Sequence, residues 1–203
     1  MVSVICGFLF WVTTLVICGH HCQMRFMPSP HYNERPNDMS IDMIVLHAIS
    51  LPAGEFEMKH IEQLFLGSLD MAAHPSFHDL QGMNVSAHFV VDRQGDVTQF
   101  VACDKRAWHA GSSSWQGREN CNDYAMGIEI IGDELRPFTV NQYKETARLC
   151  RALMLRYPDI TIERMVGHQD IAPTRKWDPG KQWDWQHFHR SLAHIRNIKL
   201  EVK

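Results

Sequence analysis

The sequence predicts an α/β fold, a single domain with a central mixed β-sheet flanked by helices. Three observations carry that expectation. Short runs of β-branched and aliphatic residues recur along the chain, amphipathic helical stretches alternate with them, and no internal repeat interrupts the series. At 203 residues with 45% hydrophobic side chains, the chain can bury one sizeable core, so one domain suffices.

The chain opens on an apolar run, Val2 to Cys18, of the length of a signal-peptide core or a short anchor. Its flanks fit neither. No Lys or Arg precedes it, no small-residue cleavage site follows it, and bulky Ile17 stands before Cys18 where a lipoprotein signal wants a small residue. Residues 1–24 are therefore set apart as a segment of open status: a membrane or export element, a stretch upstream of the true start, or a buried extension. Residues 25–203 form the expected domain.

Arg25 to Ser40, with three prolines, reads as an irregular lead-in. Ile41 to Leu46 suits a buried strand ending at His47. Beyond the breaker Leu51 to Gly54, residues Ile61, Leu64 and Phe65 fall at helical spacing, and Gly67 stops that helix. Ser68 to Met83 reads as loop. Val85 to Val91 pairs with Val97 to Val101 as a hairpin across the turn from Asp92 to Gly95. Cys103 to Asp123, rich in Gly, Ser, Asn and Asp and carrying Trp108 and Trp115, is a long loop of the kind that often bears function.

Met126 to Ile131 reads as a central strand. Thr139 and Gln142 form a capping box for the clearest helix, whose apolar stripe is Val140, Tyr143, Ala147, Cys150, Leu153, Met154 and Tyr157, with Pro158 closing it. Ile160 to Val166 is a strand ending at Gly167-His168. Asp184 caps a last helix through Trp185, Phe188, Leu192 and Ile195.

Charge excludes one class of partner. Twenty Lys and Arg against 23 Asp and Glu leave a net charge of −3, without the basic excess that binding to phosphate backbones requires. Six scattered cysteines form no CxxC pair and imply no disulfide framework. Glu129, a lone carboxylate among apolar neighbours, must be paired, linked to a metal or catalytic. His47, His168 and Asp178 stand at strand ends or in the loops that follow. Two imidazoles and a carboxylate suit a catalytic zinc with its fourth position open, although spacing alone does not separate these from the other histidines, of which there are 13 in all.

A run of motifs narrows the reading: PSPH at Pro28 to His31, ISLP at Ile49 to Pro52, SAH at Ser86 to His88, DKRAWHAG at Asp104 to Gly111, QGRENCND at Gln116 to Asp123, GIE at Gly127 to Glu129, Gly167-His168, and IAPTRKWDPG at Ile171 to Gly180. In these the chain resembles the AmpD-type N-acetylmuramoyl-L-alanine amidases, a superfamily shared with peptidoglycan recognition proteins. The resemblance implies that His47, His168 and Asp178 bind zinc, that Glu129 accepts a proton and that Lys176 steadies the transition state. It also turns Trp108 toward substrate. The guanidinium of Arg175 suits either a carboxylate of the peptide or a surface salt bridge. His31, His88 and His109 are the competing histidines, and His88 is read as structural.

The implied activity is cleavage of the amide between (1,6-anhydro-)N-acetylmuramic acid and L-alanine in muropeptides, by a cytoplasmic monomer that recycles cell wall and needs no protein partner. A real anchor at residues 2–18 would instead bring membrane contact and a periplasmic enzyme, and loss of the zinc chemistry would leave a recognition module. The chain departs from the family pattern at Ala48, where relatives carry Asn, and at Asn84 and Asn120, where they carry Arg. These are positions that hold the lactyl group and the peptide carboxylates in relatives.

Overall fold

A computed structural model describes residues 13–17 and 20–195. Strands β4 (Met43–Ile49), β5 (Phe89–Val91), β6 (Val97–Gln99), β10 (Ala125–Ile131) and β11 (Met165–Gly167) build the centre of a sheet that β1 (Thr13–Ile17) and β2 (His20–Phe26) extend at one edge. The order is β1-β2-β6-β5-β10-β4-β11. β10 runs parallel to both β4 and β5, β11 runs parallel to β4, and the β5–β6 hairpin and the β1–β2 pair are antiparallel. The mixed sheet matches the expectation.

Period-2 alternation along β4 and β10 sorts their side chains to two faces. On one face Ile44, Leu46, Met126, Ile128 and Ile130 meet the apolar stripe of α2 (Val140–Arg156) and Phe188 and Leu192 of α4 (Trp185–His194). Each such side chain removed from water stabilises the fold by roughly 1.5–3 kcal/mol. The other face is divided. Met43, Val45 and Ala125 join a cluster with Ala110, Tyr124 and Ile171, whereas Ile131 joins Ile61, Leu64 and Phe65 of α1 (Met58–Phe65). Between these two clusters the alternation leaves His47, Gly127 and Glu129.

Several expectations needed correction. The lead-in contributes the end of β2, which pairs with β6, and β3 (Tyr32–Glu34), which pairs with β7 (Lys105–Ala107). Pro75–Leu80 is a 3-10 turn inside the expected loop, and β8 (Ser114–Trp115) and β9 (Arg118–Glu119) form a small hairpin in the next. Only Phe89–Val91 of the run from Val85 is strand. Ser86 is drawn away by bonds from its amide to Trp108 O and from its hydroxyl to His31 O. Ile162–Arg164 is a 3-10 turn, so the strand there is shortened to β11. Val140, at the first helical position of α2, is 74% exposed and lies off the apolar stripe.

Apart from β1, the apolar run Val2 to Cys18 lies outside the described residues. Among the described residues no helix is long and apolar enough to cross a membrane, and Cys103, Cys121 and Cys150 are free.

The start of α2 forms as its capping box requires, with Gln142 N donating to Thr139 Oγ1 at 3.1 Å and Thr139 N donating to Gln142 Oε1 at 3.0 Å. Thr139→Ala should therefore cost about 1 kcal/mol of stability in a urea titration. An unchanged midpoint would show that the cap carries no weight.

Candidate active site and metal centre

Parallel pairing sets Glu129 of β10 directly opposite His47 of β4, on the face away from α2 and α4. β11 ends at Gly167, and the short helix α3 (His168–Ile171) starts with His168 turned beneath β4. Asp178 is brought back by the turn after α3, where Gln169 N donates to Asp178 O at 2.9 Å. Gly167 is needed for this approach, since a Cβ there would meet Pro179 Cδ at 2.8 Å.

The three side chains are buried and converge. His47 Nδ1 lies 2.9 Å from His168 Nδ1, and each lies 3.2 Å from Asp178 Oδ2. Among the described residues they form the one cluster of three potential metal-binding side chains. His168 Nε2 faces the carbonyl of Ala110 at 3.1 Å, so that nitrogen carries the ring proton and Nδ1 presents a lone pair. A proton on His47 Nδ1 would serve one of the three contacts, whereas a cation serves all of them. Tetrahedral bonds of about 2.0–2.1 Å place ligand atoms roughly 3.3 Å apart, close to the spacing found here. The residues fit a metal ion.

Electrostatics divide the two carboxyls. Burial pushes Glu129 well above the ordinary carboxylate range; the nearby charge of Asp178 adds to this and Lys176 opposes it. Oε2 of Glu129 is buried with no partner among the described residues. Burial also disfavours ionised Asp178, yet a positive charge shared with His168 and His47, whether a proton or a cation at their Nδ1 atoms, outweighs it and holds that carboxyl far below its usual range. Burial lowers His47 to about 4, so its imidazole is neutral at physiological pH, the form that binds metal.

A cleft of about 300 Å³ opens over these groups, lined by Ala48, Trp108, Glu129, Arg175, Lys176 and Trp177 among others. Trp108, Glu129, His168, Arg175, Lys176 and Asp178 all line this cleft, and His47 joins His168 and Asp178 beside it. Trp108 is oriented by Nε1 donating to Asn33 Oδ1 at 2.7 Å. Arg175 spends one guanidinium nitrogen on the carbonyls of Ala110 and Ser112, latching the loop beside the cleft.

Other contributors were not visible in the sequence. Asn122 Oδ1 accepts from the amides of His109 and Ala110 and shapes that loop from beneath. Arg35 reaches from the lead-in to the carbonyls of Cys103, Asn122, Asp123 and Ala125. Burial lowers its guanidinium to about 10, leaving it charged at neutral pH. Trp177, 43% exposed beside Lys176, walls the cleft. His88 is structural as expected: its Nδ1 accepts from Gly127 N at 3.0 Å and its Nε2 faces Lys105 O at 3.1 Å.

Comparison with known proteins places this geometry. The family profile described as N-acetylmuramoyl-L-alanine amidase matches residues 37–181. The chain belongs to that family. This amidase is similar to the 1,6-anhydro-N-acetylmuramyl-L-alanine amidase AmpD of Escherichia coli K12, with 49% identity over 164 residues covering 81% of this chain and 89% of that protein. It is similar also to AmpD of Citrobacter freundii, at 48% over 170 residues, 84% of this chain and 90% of that one. A crystal structure of a selenomethionine AmpD derivative superposes with a TM-score of 0.81 at 47% identity, covering 83% of the amidase and 94% of that chain.

The sign of the Glu129 shift yields a test on metal-free protein. A carboxyl whose folded pKa lies above its unfolded value of about 4.5 stabilises the fold at low pH, and that contribution is lost as pH rises through the folded value. Glu129→Gln should therefore raise Tm at pH 8 and change it little at pH 4. A lowered Tm at pH 8 would contradict a buried, unpaired carboxylate.

Proposed function

We propose that the amidase hydrolyses the amide between 1,6-anhydro-N-acetylmuramic acid and L-alanine in muropeptides, using zinc held by His47, His168 and Asp178. The observation that carries this reading is the register of β4 and β10, which sets Glu129, whose buried Oε2 has no partner among the described residues, across from three side chains that could hold a metal in a member of this family. Similarity to proteins named as 1,6-anhydro-N-acetylmuramyl-L-alanine amidases supports the substrate. So does the likeness to the amidase AmiD of Escherichia coli solved with anhydro-N-acetylmuramic acid-L-Ala-D-γ-Glu-L-Lys, at 25% identity, TM-score 0.55, and coverage of 78% of this chain and 60% of that one. We read the enzyme as a cytoplasmic monomer acting on recycled wall fragments.

His47, His168 and Asp178 would hold the zinc, which when bound would supply Lewis acidity that lowers the pKa of water toward neutral pH. Glu129 takes the proton of the attacking water, a role suited to a carboxyl whose pKa burial raises above the ordinary carboxylate range. As oxygen adds to the lactyl carbonyl, the ammonium of Lys176 stabilises the negative charge that grows on the carbonyl oxygen. Collapse breaks the C–N bond, Glu129 returns its proton to the leaving nitrogen of L-alanine, and the new lactyl carboxyl passes its own proton to that amine or to solvent, leaving a carboxylate. Trp108 offers an aromatic face to sugar or peptide, and the remaining N–H groups of Arg175 face a peptide carboxylate.

Purified anhydro-muramoyl-tripeptide should release L-alanyl peptide with the zinc-loaded protein and not with the chelated form. Glu129→Gln should keep zinc while turnover falls by about 10²–10⁴-fold, and Lys176→Met should lower kcat by roughly 10²–10³-fold with little change in KM. Stoichiometric zinc with intact muropeptide would refute the substrate, and absence of zinc binding would refute the mechanism.

A further inference from the structure

His109 has no assigned role in this reaction, yet its surroundings are built around one contact. Its ring is buried, and its Nδ1 lies 3.0 Å from Nε2 of His47, the nitrogen that points away from the metal-binding ring of atoms. The two imidazoles meet edge to face, with centroids 5.0 Å apart. No other side-chain hydrogen bond is made by the His109 ring among the described residues, and its Nε2 is buried without a partner. Among the described residues nothing else thus fixes this ring by polar contact.

The fold gives up a side chain to admit it. A Cβ at Gly127 would lie 2.4 Å from His109 Cγ and 2.5 Å from Cδ2, far inside any real contact. Gly127 stands on β10 two residues before Glu129, on the same face, where every larger residue would drive the ring off His47. On the other side the loop is pinned by Asn122, whose Oδ1 accepts from His109 N at 3.1 Å and Ala110 N at 2.8 Å.

From this geometry we infer that His109 is a positioning residue: its Nδ1 accepts the Nε2 proton of His47, fixing the tautomer and ring angle that aim the His47 Nδ1 lone pair at the metal. The inference rests on the proposed metal reading and adds to it. In a neutral imidazole one nitrogen donates and the other accepts, so a proton committed to His109 leaves Nδ1 of His47 unprotonated. The same division holds for His168, where the carbonyl of Ala110 is the acceptor. His47 differs in that its acceptor is itself a side chain and can be replaced. Groups in this position on other metal sites contribute about 10–100-fold to metal affinity or activity.

The test uses full-length zinc-loaded protein and three variants. His109→Phe keeps ring shape and removes the acceptor, His109→Asn restores an acceptor oxygen near the Nδ1 position, and Gly127→Ala displaces the ring without removing any polar group. Zinc affinity is read by competition with a chromophoric chelator, and kcat and KM are measured on anhydro-muramoyl-tripeptide. The His47 tautomer is read from the ¹⁵N shifts of its ring nitrogens.

We expect His109→Phe and Gly127→Ala each to lose zinc affinity by about 10–100-fold. Turnover at saturating zinc should fall while KM stays within about twofold, as expected when the aim of the metal changes and substrate binding does not. His109→Asn should recover most of the loss, and the wild type should carry its His47 proton on Nε2. Folded His109→Phe with wild-type zinc affinity, or a His47 proton on Nδ1 in the zinc-loaded wild type, would overturn the inference. If His109→Phe fails to fold, unchanged affinity in Gly127→Ala overturns it alone. Failure of the wild type to bind zinc would instead overturn the metal reading beneath it.

Discussion

The parallel register between β4 and β10 is the constraint on which the site depends. It pairs residues 43–49 with 125–131 one for one, so His47 and Glu129 stand side by side and share a face. Because side chains alternate with period two, a slip of one residue on either strand would turn its polar member into the core under α2 and α4. The apolar alternation of Ile44, Leu46, Met126, Ile128 and Ile130 on the core face is what forbids that slip. Packing on one face therefore fixes the chemistry on the other, and the remaining groups are delivered to a prepared surface by short turns and one long loop.

Those deliveries leave charges and lone pairs in conflict unless a cation resolves them. Asp178 stays ionised through the positive charge it shares with the two histidines it touches, a proton or a cation at their Nδ1 atoms, while Glu129 nearby is driven toward its neutral form by burial and by the charge of Asp178. Two carboxyls with opposed pKa values in one cleft are a common mark of acid–base machinery. Burial keeps the His47 imidazole neutral, and both rings are oriented from behind, by a backbone carbonyl for His168 and by His109 for His47. The loop carrying His109 and Ala110 is held in turn by Asn122, Arg175 and Arg35, so the aim of the metal-binding atoms is set as far away as the lead-in.

How much of this could be read in advance follows from the range of the forces involved. β4, β10 and α2 were legible because their burial is periodic in sequence, and the capping box at Thr139 is a local signal. The conspicuous carboxylate at Glu129 was visible for the same reason, as a break in an apolar run. Spacing did not separate His47 and His168 from their fellow histidines; motif resemblance did. Arg35 and Asn122 were missed because their bonds run to backbone groups many residues away, which leave no trace in periodicity. The pairings of β2 with β6 and β3 with β7 were hidden likewise, since a proline-rich stretch has no strand pattern of its own. His109 lay in plain sight, yet its significance depends on an absent side chain at Gly127.

The most direct measurement is zinc-edge anomalous diffraction from crystals of the full chain grown with zinc. The account predicts a single buried peak about 2.0–2.2 Å from Nδ1 of His47, Nδ1 of His168 and a carboxylate oxygen of Asp178, with Glu129 across an open fourth position. A peak bound through Nε2 of either histidine, or none among these three residues, would contradict it.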